Sequence, residues 1–254
     1  MLTVDLNSDL GEGFGPYRCG DDDAMLAIVT SANVACGFHG GDPEVMAHTF
    51  RVAKARGVRV GAHPGFPDLW GFGRRRIPFS SGEIERLVAY QIGAAEALAA
   101  YAGHQITYVK PHGALGNMAE VESDIADAIA RAVRAVAPSL ILLAIARSEQ
   151  IKAADRAGIA TVAEIFADRG YSEVGRLIPR GQKGALIEDP DEAADRVFTM
   201  VNSAAIITAG GKHLKTAIGS VCVHSDSPLA IQTAQKVRAR LESGGVAIAG
   251  FCAL

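Results

Sequence analysis

Short apolar runs recur along the chain, separated by longer amphipathic stretches. Runs suited to strands lie at LTVDLN (2–7), SANVAC (31–36), VRVGA (58–62), ITYVK (106–110), LILLAI (140–145), ATVAEIF (160–166) and SVCVH (220–224). Several are apolar at nearly every position, as strands buried on both faces should be. Between them the period changes to that of helices. Ser80 and Glu83 have capping-box spacing, and Ile84, Leu87, Val88, Ala95 and Leu98 follow at helical intervals. Asp42 before Pro43 predicts an N-cap with proline at the first helical position, and Gly57 suits that helix's end. Ser227 with Pro228 predicts a second such start, and Gly244 closes that last helix. The stretch 174–187 reads as a long loop before the next helix.

Seven strand–helix units predict a parallel α/β architecture. A closed or nearly closed barrel of the TIM type fits better than an open doubly wound sheet, because no G-x-G-x-x-G follows any strand. No linker, low-complexity tract or fixed-period repeat interrupts the pattern, so 1–254 reads as one domain. The length of 254 residues is close to the ~250 typical of such barrels.

Composition narrows the function classes. With 25 basic and 28 acidic residues, net charge −3, there is no electrostatic reason to expect nucleic acid or an anionic membrane surface, and small ligands are the better expectation. The four cysteines, Cys19, Cys36, Cys222 and Cys252, are far apart and form no C-x-x-C pair, which predicts reduced thiols in a cytoplasmic protein. The start MLTVDLNSDL has no basic region and is interrupted by Asp5, unlike a signal peptide. The longest uncharged stretch, 24–41, carries Thr, Ser, Asn, His and several glycines, and is a poor membrane span.

In parallel α/β folds, ligands sit at the carboxyl ends of the strands. Here those ends are crowded with chemistry. The first carries Asn7, Asp9 and Glu12, the second His39 and Asp42, the third His63, and the fourth Lys110 and His112. The sixth carries Asp168, Arg169 and Tyr171, and the seventh His224 and Asp226. Four of the seven histidines stand at such ends, and only His48, His104 and His213 lie elsewhere. One strand-end histidine is as easily a loop-holding residue, but four beside carboxylates, a lysine and an arginine point to one polar site. Asp42 also has a plain role as a helix cap.

A histidine titrates near neutral pH and can serve as general acid or base, with Asp9 or Glu12 orienting it or acting alone. Lys110 can stabilise a developing oxyanion or a transferring phosphoryl group. Three histidines and an aspartate could also hold Zn²⁺ or Mn²⁺ with an open position, although no H-E-x-x-H spacing supports a metal. The tract PDLWGFGRRR (67–76) reads as a solvated loop, or as a lid whose Arg74 or Arg75 clamps an anion. Arg176, Arg180 and Lys183 are further candidates for phosphate contacts. No P-loop is present; AGGKHLKT has neither its spacing nor a threonine after the first lysine.

The blocks DLNSDLGEGFG (5–15), SANVACGFHGGDP (31–43), GAHPGFPDLWGFGRR (61–75), YVKPHGALGN (108–117), EIFADRGY (164–171) and VCVHSDSP (221–228) resemble the signature blocks of the LamB/YcsF family. The resemblance runs from the first strand to the last helix. It implies a seven-stranded barrel related to the glycoside hydrolase and deacetylase barrels. It also implies an ATP-dependent opening of the lactam of 5-oxo-L-proline to L-glutamate, with ATP (and Mg²⁺) as co-substrate and with separate 5-oxoprolinase subunits B and C. Alternatives are a metal-dependent amidase or deacetylase working alone, and a non-catalytic subunit that only binds substrate. Three positions depart from the family pattern: Gly40 where alanine is expected, Gly116 where tyrosine is expected, and Ser225 where glycine is expected.

Overall fold

A computed structural model describes residues 2–252. The chain runs β1 (Thr3–Leu10), α1 (Asp22–Met25), β2 (Ser31–Ala35), α2 (Pro43–Arg56), β3 (Arg59–His63), α3 (Ser81–Tyr101) and β4 (Ile106–Val109). Then come α4 (Gly113–Val121), α5 (Ser123–Val136), β5 (Ile141–Ile145), α6 (Glu149–Ala157), β6 (Thr161–Phe166), α7 (Pro190–Ser203), β7 (Ala205–Ile207), β8 (His213–Lys215), β9 (Ser220–Cys222), α8 (Ala230–Ser243) and β10 (Ala247–Ile248). Strands β1 to β6 and β9 pair in parallel in that order, and β9 pairs back onto β1. The result is the closed seven-stranded parallel barrel that the pattern predicts, with helices around it. All seven predicted strands form. The β7–β8 antiparallel hairpin, the helix α1 and the two-residue strand β10 on the start of β1 are additions that the periodicity does not show.

Local rules account for most helix ends. Ser80 and Glu83 make the predicted reciprocal capping box on α3. The Asp42 carboxylate accepts the Glu44 and Val45 amides of α2, and Gly57 ends that helix in the left-handed region at φ 66°; caps of this kind are worth about 1 kcal/mol. The Ser227–Pro228 start does not form. Ser225 is pinned to β1 by donating to the Asp9 carbonyl at 2.6 Å, so the chain turns through Ser227 and Pro228 and enters α8 only at Ala230, with no side-chain cap.

The two faces of the barrel wall differ sharply. Val4, Leu6 and Leu10 of β1 join the apolar layer between sheet and helices, together with Val34, Val60, Val109, Leu142, Ile165 and Val221. Burying each such side chain contributes roughly 1.5–3 kcal/mol. The alternate residues of β1 are Asp5, Asn7 and Asp9, and they face the lumen. Register places them beside other polar lumen residues: Asp5 and Glu164 flank Ser220, Asn7 lies beside Ser31 and Cys222, and Asp9 beside Asn33. This is why β1 continues past residue 7 to Leu10 as a strand. Beside β1, β2 and β9 the usual branched apolar filling of such barrels gives way to a hydrogen-bonded polar column, while Leu143 and Ile145 of β5 keep the apolar filling on their side. Gly61 makes room for the Tyr108 ring, since a Cβ there would lie 2.4 Å from it. The Tyr108 hydroxyl donates to Asn33 at 2.7 Å.

Candidate active site

At the carboxyl end of the barrel the polar column meets Lys110. Its ammonium donates to Asp9 at 2.9 Å and to Asn7 at 3.3 Å, and it lies 3.1 Å from Glu164 and 3.0 Å from the Cys222 sulfur. All five residues are buried. Burial disfavours the charged lysine, but the Asp9 carboxylate, with Cys222 and Glu164, outweighs it and holds the ammonium well above its usual range. Burial likewise pushes the Asp9 carboxyl up, yet its contacts with the His63 ring and the Lys110 ammonium hold it well below the usual range. One ammonium cannot neutralise two carboxylates. Burial therefore prevails at Glu164, whose pKa is raised despite Lys110. The ionised pair in the lumen is Lys110 with Asp9.

Above this pair the loops after β1 to β4 close into a histidine cluster. His39 Nε2 lies 3.1 Å from Glu12, His112 Nδ1 lies 3.4 Å from the same oxygen, and His63 Nε2 lies 3.1 Å from His112 Nδ1 and 3.4 Å from Asp9. The His39 and His112 rings stack at 3.5 Å, and the His63 ring stands at 89° to His112. The loop 67–76 packs over them. Gly73 has φ 61°, and a Cβ there would come within 2.6 Å of His39 and 2.9 Å of His112. Phe72, strained at φ 53°, offers its carbonyl to His112 Nε2–H at 2.8 Å. Burial, then the neighbouring imidazoles, push His39 and His112 well below the usual histidine range, and burial with Asp9 and Asp226 pushes Glu12 well above the carboxylate range. Glu12, His39, His63 and His112 place one donor atom each within 4.8 Å of one another, which makes them a candidate metal-ligand group; Asp9 groups instead with Cys222 and His224.

The opposite wall is built by the loops after β6 and β9. His224 Nδ1 contacts Asp168 at 2.8 Å, its ring stacks on Phe166, and its Nε2 faces Asp9 at 3.9 Å. Burial raises the Asp168 carboxyl, but the His224 charge and hydrogen bond outweigh it and leave it below its usual value. Arg74 bridges the mouth to Asp226 at 2.7 Å. A cavity of about 390 Å³ lies between the two walls, lined among others by Asp9, His63, Arg74, Lys110, His112, Glu164, Arg169, Arg180 and His224. Its size is in the usual range for small-molecule sites. A second opening of about 460 Å³ shares Arg180 and His224 and adds Asp168 and Asp226.

The remaining candidates have structural partners of their own. Asn7 is spent inside the barrel, donating to Ser220 and accepting from Asn33 and Lys110. Asp42 caps α2 and also accepts the Gly15 amide at 2.6 Å. Arg75 turns away to Asp68, 3.0 Å from Nε, because that buried carboxylate has no other cation among the described residues. Arg169 lines the cavity while bracing the following loop through the carbonyls of Ala185 and Ile178. Arg176 donates to the carbonyls of Glu120 and Arg147. The sequence reading missed Glu164, Asn33, Tyr108 and Cys222. The signal for Glu164 was a charge inside an otherwise apolar strand. The three departures have local reasons: a Cβ at Gly40 would meet the Glu12 carbonyl at 2.7 Å, one at Gly116 the Pro111 carbonyl at 2.7 Å, and Ser225 bonds Asp9.

Comparison with known proteins matches this arrangement to one group. The LamB/YcsF family pattern covers residues 4–254. A protein of Azorhizobium caulinodans, named as the A subunit of 5-oxoprolinase, is 63% identical over 251 residues, covering 99% of each chain. Its counterpart in Gluconobacter oxydans, of the same name, is 56% identical over 246 residues, covering 97% of each. The crystal structure of the lactam utilization protein from Thermus thermophilus superposes with a TM-score of 0.93 at 42% identity, covering 98% of this chain and 100% of that one. A peptidoglycan N-acetylglucosamine deacetylase domain from Eubacterium rectale, with TM-score 0.54 at 8% identity and covering 98% and 88%, shares the fold alone. The chain belongs to the LamB/YcsF family.

Proposed function

We propose that this chain is the lactam-opening component, the A subunit, of an ATP-dependent 5-oxoprolinase. It would act with subunits B and C to convert 5-oxo-L-proline to L-glutamate while ATP becomes ADP and phosphate. The observation that supports it most is the buried Lys110 ammonium, held charged by Asp9 and facing a cavity rimmed by Arg74 and Arg180. Lactam carbonyls are poor electrophiles. A fixed cation in a water-poor site favours negative charge developing on the carbonyl oxygen, or on a phosphoryl group transferred to it. The arginines at the mouth suit the substrate's carboxylate and the transferred phosphoryl group.

In this reading the lactam oxygen takes the γ-phosphoryl group of ATP, releasing ADP. Water then adds to the activated carbon, the ring C–N bond breaks with a proton delivered to nitrogen, and a second water releases phosphate from the resulting acyl phosphate. Water needs a base and the ring nitrogen an acid. His224 suits both roles: Asp168 fixes its Nδ1, and its Nε2 faces Asp9 in the cavity. The names of the relatives, 5-oxoprolinase and lactam utilization protein, point the same way.

The test is release of ADP by the purified chain, alone and mixed with subunits B and C, with and without 5-oxoproline. The expected result is stimulation by 5-oxoproline in the complete mixture, with glutamate formed in step. No stimulation in that mixture would contradict the proposal.

A further inference from the structure

The cluster above Lys110 contains a contradiction in its hydrogen bonding. His63 Nδ1 lies 2.6 Å from the Lys110 carbonyl, and His112 Nε2 lies 2.8 Å from the Phe72 carbonyl. Carbonyl oxygens only accept, so both of these nitrogens carry the hydrogen. In the neutral rings this leaves His63 Nε2 and His112 Nδ1 with bare lone pairs, and these two atoms face each other at 3.1 Å. Glu12 Oε1 adds a third electron-rich atom 3.4 Å from His112 Nδ1, and the Asp9 carboxylate stands 3.4 Å from His63 Nε2. All four residues are buried, so solvent does not relieve the repulsion.

We infer that His63 Nε2, His112 Nδ1 and Glu12 Oε1 are the ligands of a divalent transition-metal ion, with zinc as the best match. Two imidazoles and one carboxylate are a common catalytic zinc set, and donors about 2.0–2.2 Å from one ion stand roughly 3.3 Å apart in a tetrahedron. The contacts of 3.1 and 3.4 Å agree with that spacing. Each ligating ring also donates its outer N–H to a backbone carbonyl, the arrangement that fixes tautomer and orientation in metal sites. The His63 and His112 rings stand at 89° to each other, and it is their two bare nitrogens that make the close approach at 3.1 Å.

His39 is excluded as a ligand on two grounds. Its ring is parallel to that of His112 at 3.5 Å and 2°, so one ion cannot lie in both ring planes. Its Nδ1 is buried without a partner among the described residues, and it therefore lacks the outer bond that the other two rings have. Instead His39 Nε2–H donates to Glu12 at 3.1 Å and holds that carboxylate in place. The second donor group, Asp9, Cys222 and His224, is already served by the Lys110 ammonium, which repels a metal cation. His63 and His112 both line the cavity between the two walls, so an ion held by them would supply Lewis-acid chemistry to a molecule bound there. Binding of the ion does not rest on the lactam-opening reading.

The test is metal content of the full chain after chelation, dialysis and addition of Zn²⁺ alone, with Co²⁺ as a spectroscopic probe in parallel. The wild type should retain about one equivalent per chain, give the intense visible bands of low-coordinate cobalt, and unfold at a higher temperature with Zn²⁺ than without. His63→Ala and His112→Ala should each lose stoichiometric binding and the thermal shift. His39→Ala should keep one equivalent, with affinity weakened about 10–100-fold. Wild-type protein that retains far less than one equivalent, or a His63→Ala/His112→Ala double variant that binds as the wild type does, would overturn the assignment. The wild-type stoichiometry decides the matter even where a variant fails to fold.

Discussion

The two walls of the cavity use histidine in opposite ways. On the wall made by the β1–β4 loops, His39, His63 and His112 are stacked and crossed among themselves, almost fully buried, with Glu12 at their centre. On the wall made by the β6 and β9 loops, His224 is partly exposed and paired one-to-one with Asp168, while Arg74 and Asp226 close the rim. The first wall is a preorganised donor cluster with no freedom to turn. The second is a carboxylate–imidazole pair with an open edge, suited to moving protons. Lys110 and Asp9 lie beneath both and belong to neither.

Breaking the open wall should give the largest loss that leaves the fold intact. His224→Gln removes proton transfer but keeps a hydrogen-bonding side chain beside Asp168, and the complete enzyme should lose about 10²–10⁴-fold in kcat. Unchanged kcat would remove His224 from the chemistry. Next comes the rim: Arg180→Ala should raise KM for 5-oxoproline about tenfold, with a smaller effect on kcat, because a carboxylate loses a charge-assisted partner.

Smaller still, and sharper as a comparison, are the opposite pH responses of two buried carboxyls. Glu164 in the lumen has a folded pKa above its ordinary 4.5, because of burial, so it retains its proton on folding and the protein loses stability as pH rises through that window. Asp168 on the open wall has a folded pKa below its ordinary 3.8, because His224 outweighs burial; its contribution is present above that value and is lost as pH falls through the folded one. Urea unfolding from pH 3 to 7 should therefore show Glu164→Gln gaining on the wild type as pH rises and Asp168→Asn falling behind it. Slopes of the same sign would contradict the contrast. The smallest effect is expected at Arg75, which points away to Asp68: Arg75→Ala should leave kcat and KM within about twofold of wild type.

The barrel was legible in the chain because its strands are short apolar runs ending in polar residues, and both signals are local. The same locality made the Asp42 and Ser80 caps readable and misled at Ser227, where the Ser225–Asp9 bond delays the helix. Strand ends pointed to both walls, since Glu12, His39, His63, His112, Asp168 and His224 all converge there. The lumen was harder. Asp5, Asn7 and Asp9 alternate in plain view, but their partners Asn33, Tyr108, Glu164 and Cys222 come from other strands. Only barrel closure and register bring them together. Arg75 could not be told from Arg74, because one residue along a loop decides which of two acids each arginine reaches.

The most direct test of the account is glutamate formation from 5-oxoproline by the complete ATP-supplied mixture, comparing wild-type chain with Lys110→Met whose fold has been verified by circular dichroism. Loss of turnover by about 10²–10³-fold or more is expected, since the substitution removes the buried cation proposed to stabilise charge on the lactam oxygen. Turnover near the wild-type rate in a folded Lys110→Met chain would contradict it.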